Sequence, residues 1–176
     1  MQVTSYGLFW REDEIEWNPG QGKRNEFRIL GRIGVQRRSL RIVDFRYQQG
    51  IYILHDDYGP AYVGLVRGGG GGRLGARLNE HRNDRLSNKW DRFSWFGFNS
   101  IDAQPADDGV FGVSPAEEDL TDDTRTTIAD LEALLIAAMG PKLNIQRMRF
   151  GTAEQWEQVG YWEWRETYRD RVAPQD

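Results

Sequence analysis

Cysteine is absent from the 176 residues, which excludes a disulfide framework, a zinc ribbon and a RING module. No apolar run is long enough to cross a bilayer, and no basic region followed by an apolar stretch marks a secretory signal. A cytoplasmic protein without membrane association is the expectation. Positive charge is also short: 23 Lys and Arg stand against 27 Asp and Glu, for a net charge of −4. The glycine run Gly68 to Gly72 lacks the Gly-Lys-Ser/Thr ending of a nucleotide P-loop. No internal repeat is visible.

What is present suffices for a folded globule. Hydrophobic residues make up 39% of the chain and seven are tryptophan, enough for one substantial core. The charge is segregated. Residues 1–49 hold nine basic and six acidic residues, residues 65–92 seven and three, and residues 100–135 one and ten. A phosphate-binding surface needs local positive potential and not a high overall charge. The acidic block reads as a solvated surface, or as a segment that holds a partner or shields a site.

Three segments follow from the pattern. Residues 1–48 form an N-terminal extension: an irregular start, a turn at Asn18 to Gly22, then strand-like Phe27 to Ile29 and Leu40 to Ile42. Its basic residues, Lys23, Arg24, Arg28, Arg32, Arg37, Arg38, Arg41 and Arg46, read either as a DNA- or partner-binding arm or as a solvated strand face.

Residues 49–146 form the candidate catalytic core. Ile51 to Leu54 and Ala61 to Val66 read as strands joined by a turn at Asp56 to Pro60. The glycine run follows, either a phosphate cradle or a hinge. Arg73 to Leu86 reads as a helix and Asp91 to Asn99 as a third strand, before a long acidic loop over 100–121. A second helix runs from Asp122 or Asp123 to Met139, stopped by Gly140 and Pro141. Residues 147–176, with Trp156, Trp162 and Trp164, read as a C-terminal packing segment carrying a final helix or strand.

Within the core, several side chains converge on paper. Tyr52 and Leu54 share one strand face, and Tyr62 and Gly64 share a face of the partner strand, so two phenols can stand together. Gly50 and Gly64 then leave room for backbone to approach a phosphate. Arg77 and His81 project from one helix face, and an arginine fork suits a phosphate. Glu132 lies at the margin of an apolar helix face formed by Ile128, Leu131, Leu135, Ala138 and Met139. A carboxylate placed there requires compensation, from a divalent cation or from an arginine. In the basic segment, Arg67, Arg73, Arg82 and Lys89 are the expected nucleic-acid contacts.

The ordered set Gly50-Ile51-Tyr52, Tyr62-Val63-Gly64, Arg77-x-x-x-His81, Glu132 and Pro141-x-x-Asn144 resembles the GIY-YIG nuclease superfamily. The match runs through residues 50–144, a little over half the chain. It departs in a valine for isoleucine and in the glycine run. The resemblance implies an α/β (α+β) fold with a three-stranded antiparallel sheet flanked by helices. It implies a metal-dependent endonuclease, acting on nucleic acid (DNA above RNA) and leaving a 5′-phosphate and a 3′-hydroxyl.

Tyr52 would then be the general base or water-orienting group, with Tyr62 supporting it. Arg77 would hold the scissile phosphate. Glu132 would ligate a single Mg2+, for which Mn2+ substitutes, and His81 and Asn144 would brace the site. The missing cysteines and the short length point to a stand-alone bacterial or phage member, in restriction or phage defence. A protein partner or a homodimer is compatible with this reading. The alternative is a non-catalytic or partner-activated nucleic-acid- or protein-binding module on the same fold, with Tyr161, Trp162 and Trp164 as its contact patch.

Overall fold

The tight turn at Asp57 and Tyr58 folds the chain back on itself. The Asp56 carboxylate accepts the Tyr58 and Gly59 amides at 2.7 and 3.0 Å, and Gly59 takes φ +131°, which glycine allows freely. A computed structural model of the chain describes residues 3–20, 27–36, 38–66, 73–114, 133–134, 137 and 153–172. Among them, nine strands run in chain order: β1 (Ser5–Arg11), β2 (Leu30–Ile33), β3 (Arg41–Asp44), β4 (Gly50–Asp56), β5 (Gly59–Val66), β6 (Arg92–Gly97), β7 (Ser100–Ile101), β8 (Val113–Ser114) and β9 (Glu154–Val159). Helix α1 spans Leu74–His81. A C-terminal helix covers 161–172, with a π-helical turn at Trp164–Tyr168.

The architecture is mixed α/β, built on a seven-stranded sheet in the order β3-β2-β9-β1-β6-β4-β5. The expected sheet had three strands. Those three, β6, β4 and β5, are present as adjacent antiparallel neighbours with β4 in the middle. Four more come from the flanking segments: β1, β2 and β3 from residues 1–48, and β9 from residues 147–176. One sheet thus draws on all three segments.

The irregular start expected at the N-terminus is a central strand. β1 pairs antiparallel with β6 and parallel with β9. Its apolar pattern is obscured by a register shift between Gly7 and Trp10, where Phe9 adopts φ +54°. Phe27 to Ile29, expected as a strand, precede β2 without regular structure, and the predicted Leu40 to Ile42 strand lies one residue later as β3. The acidic segment is not all loop: β7 pairs with β8. Phe111 closes the outer edge of β3, its carbonyl accepting the Asp44 amide and its amide donating to Ile42, each at 2.9 Å.

Alternation along the strands sorts the core onto two faces. One face carries Trp10, Phe45, Tyr52, Leu54, Phe93, Trp95 and Trp156, and helix α1 lies on it through Leu74 and Leu78. The opposite face carries Val3, Tyr6, Ile53 and Phe96, packed against Ala133 and Ala137. Those two alanines and Leu134 are helical, within the helix expected over 122–139. A third cluster, Leu30, Ile42, Val110, Val159 and Tyr168, seats the C-terminal helix.

Candidate functional site

Antiparallel register builds the site. Tyr52 stands opposite Gly64, and Leu54 opposite Tyr62, so the two phenols sit diagonally on one face with ring centroids 6.1 Å apart. Gly64 is glycine for a packing reason: a Cβ there would lie 2.1 Å from Cζ of Tyr52. The space expected for a phosphate is filled by the Tyr52 ring. Gly50 is likewise occupied, since φ is +147° and a Cβ would meet the Phe96 carbonyl oxygen at 1.9 Å. Neither glycine provides open backbone for a ligand.

Helix α1 brings the next two residues. Leu74 and Leu78 press it onto the sheet, and His81, on the same side, reaches Tyr52. The Tyr52 hydroxyl and His81 Nε2 are 2.6 Å apart, a short hydrogen bond between two buried groups. The Tyr62 ring lies edge-on to His81 at 5.1 Å. Arg77, one turn before His81, is 48% exposed and donates to Glu80 at 2.7 Å. Of the residues expected to act together, Tyr52, Tyr62 and His81 are in mutual contact, and Arg77 lies one turn away on the helix, paired with Glu80.

Tyr52 is only 2% exposed. Burial pushes its phenol well above the ordinary tyrosine range, Tyr62 adds to the rise, and the Arg77 charge opposes it. A phenolate is thus not the resting form. The Tyr52 hydroxyl has His81 Nε2 as its hydrogen-bond partner.

Asp84 completes the group and was not foreseen from the sequence. Its Oδ2 lies 2.8 Å from His81 Nδ1, and its Oδ1 accepts the Leu86 amide at 2.7 Å. The Leu86 amide first, and His81 second, hold the Asp84 carboxyl below its ordinary value. The helix expected to reach Leu86 ends at His81 because Asn83 and Asp84 turn their side chains to the backbone: Asn83 Nδ2 donates to the Asn79 carbonyl at 2.9 Å. The signal available in the sequence was the His-x-x-Asp spacing.

The expected nucleic-acid contacts are scattered. Arg73 is exposed at the start of α1, its guanidinium 4.5 Å from the Tyr47 ring centroid. Arg82 is engaged within the protein, donating to Glu12 at 2.6 Å and stacking on Trp17. Lys89 is exposed beside Trp90 and Asp91. Arg67, Glu132 and Asn144 lie outside the described residues. Ala133 and Ala137, neighbours of Glu132 in sequence, pack on the sheet face opposite Tyr52. Among the described residues no group of three or more His, Cys, Asp or Glu is arranged to hold a metal. Among the described residues, the carboxylates of Glu80 and Asp84 are engaged by Arg77 and His81.

In the N-terminal segment, Arg28, Arg32, Arg41 and Arg46 face carboxylates of Asp108, Glu157, Glu154 and Asp44 at 2.6–3.0 Å. Of the aromatic patch, Trp162 is 63% exposed, whereas Trp164 packs against the third core cluster. No family model matches the chain, and no curated protein or solved structure matches it either.

Proposed function

We propose that this protein is a metal-dependent endonuclease of the GIY-YIG type that hydrolyses phosphodiester bonds of nucleic acid, DNA being the favoured substrate. The observation that carries the reading is the 2.6 Å contact between Tyr52 and His81, with the Tyr62 ring beside both. The ordered motif set that suggested the family supplies the same three residues.

Phosphodiester hydrolysis needs a positioned phosphate, an oriented water and a destination for its proton. Arg77 is the phosphate ligand in this reading. Its exposed contact with Glu80 is worth little in water and can be exchanged for a phosphate oxygen. Tyr62 lies at the rim, next to Tyr52. As water attacks phosphorus and the P–O3′ bond breaks, the water proton passes to the Tyr52 oxygen, the Tyr52 proton passes to His81 Nε2, and the leaving 3′-oxygen takes a proton from solvent. The neutral phenol is then a relay, and the imidazole is the terminal acceptor. That division of labour follows from the hydrogen bond between the Tyr52 hydroxyl and His81 Nε2.

A divalent ion, Mg2+ or Mn2+, would supply charge neutralisation at the pentavalent phosphorus. Its proposed ligand is Glu132, and no step above passes through the ion. The products in this reading are a 5′-phosphate and a 3′-hydroxyl, and the biological role is restriction or phage defence.

The test is incubation of wild type and Glu132→Ala with plasmid, linear duplex, single-stranded DNA and RNA, in Mg2+ or Mn2+ and then in EDTA. Cleavage is expected to need the metal and to vanish in the variant. Cleavage that survives Glu132→Ala rejects the metal ligand. A folded wild-type protein that cuts nothing rejects a self-sufficient nuclease and favours a non-catalytic or partner-activated binding module.

A further inference from the structure

The group His81, Asp84 and Leu86 has a geometry that fixes more than position. Asp84 is bound at both oxygens: Oδ1 to the Leu86 amide at 2.7 Å and Oδ2 to His81 Nδ1 at 2.8 Å. The Ser87 amide also donates to the Asp84 carbonyl at 3.0 Å, closing the turn around it. We propose that Asp84 is the positioning residue of the site, holding His81 in the Nδ1–H tautomer so that Nε2 faces Tyr52 as a proton acceptor. This rests on the nuclease reading for its catalytic consequence, but not for the tautomer itself.

The physical reason is that a carboxylate only accepts. With Asp84 ionised, the neutral imidazole must place its proton on Nδ1, and the free pair on Nε2 is then left for the Tyr52 hydroxyl. When Nε2 takes the Tyr52 proton, the new imidazolium sits against the Asp84 charge. Asp84 takes up no proton in this step. One proton leaves water for the Tyr52 oxygen and one leaves Tyr52 for His81.

Asp84→Asn separates this role from a merely structural one. The Leu86 amide demands an acceptor, so the asparagine carbonyl oxygen takes over that bond. Its amide group then faces His81 Nδ1 as a donor, which drives the proton to Nε2. The Asp84 side chain is 40% exposed, so the substitution creates no buried orphan.

The experiment is imidazole nitrogen NMR on protein labelled at histidine, read at a pH where the rings are neutral. The chain has only two histidines, and a His55→Gln sample assigns the signals. Wild type is expected to carry its His81 proton on Nδ1, and Asp84→Asn on Nε2. In cleavage assays kcat is expected to fall by about 10²-fold or more, with KM for a duplex oligonucleotide unchanged. Wild type with the proton on Nε2, or a folded Asp84→Asn with the wild-type tautomer, overturns the proposal. If wild type cleaves nothing, the nuclease reading fails while the tautomer result still decides the role of Asp84.

Discussion

At the scale of single residues, the second glycine of the motif set is a constraint on Tyr52 and not an opening for ligand. Gly64→Ala places a methyl against the Tyr52 ring, whose Cζ stands 2.1 Å from the ideal Cβ position. Overpacking of this kind costs about 1–3 kcal/mol, which for a chain of this size lowers Tm by roughly 3–10 °C. A thermal melt reads the stability loss, and a parallel loss of cleavage would report the displaced phenol. His55 gives a second prediction at this scale. Burial pushes its imidazole down, with the Arg92 charge adding to the shift, and its Nε2 lies 3.0 Å from Ser94 Oγ. A lowered folded value means that the unfolded chain binds the proton more readily. Stability is therefore full above the ordinary value of about 6.5 and is lost as pH falls through the folded value. Tm should decline as pH falls below about 6.5, and His55→Gln should flatten that limb. An unchanged slope in the variant would assign the decline to other groups.

At the scale of elements, β1 is the piece whose removal should cost most. It is hydrogen-bonded to β6 on one side and β9 on the other, and Trp10 fills the centre of the aromatic core against Phe45, Phe93 and Trp95. A chain beginning at residue 12 is expected to lose its near-UV circular dichroism and its cooperative unfolding transition. Retention of both would show that the remaining strands fold alone. The same strand marks the limit of what the sequence discloses. The hairpin of β4 and β5 was legible because its turn chemistry is local, and β6 because its aromatic run is dense. β1 was not, because the bulge at Phe9 breaks the alternation of Ser5 to Arg11. β9 carries a single large apolar residue, Trp156, and its parallel partner is far away in sequence. For the site, the spacing of Tyr52, Tyr62, Arg77 and His81 was enough to bring the four together on paper. Asp84 escaped because it lies beyond the true end of α1, and side-chain competition for the backbone set that end.

At the scale of the whole molecule, segregated charge left two readings for the arginines of residues 23–46. Arg28, Arg32, Arg41 and Arg46 each face a carboxylate, so the charge of these four is balanced within the protein. The salt dependence of DNA binding should accordingly be unchanged in an Arg32→Gln and Arg41→Gln double variant. Arg73→Gln and Arg77→Gln should each lower the slope of log K against log salt by about 1. A flattened slope in the first variant would restore the basic arm as a DNA contact. The central claim for the molecule is that the buried phenol drives strand cleavage by the intact protein. The direct measurement is the single-turnover rate of cleavage in Mg2+ by wild type and Tyr52→Phe, with DNA affinity measured alongside. Removing one hydroxyl from a residue 2% exposed leaves the binding surface intact. The rate is predicted to fall by about 10²-fold or more with affinity unchanged. Cleavage by Tyr52→Phe at the wild-type rate would contradict the account.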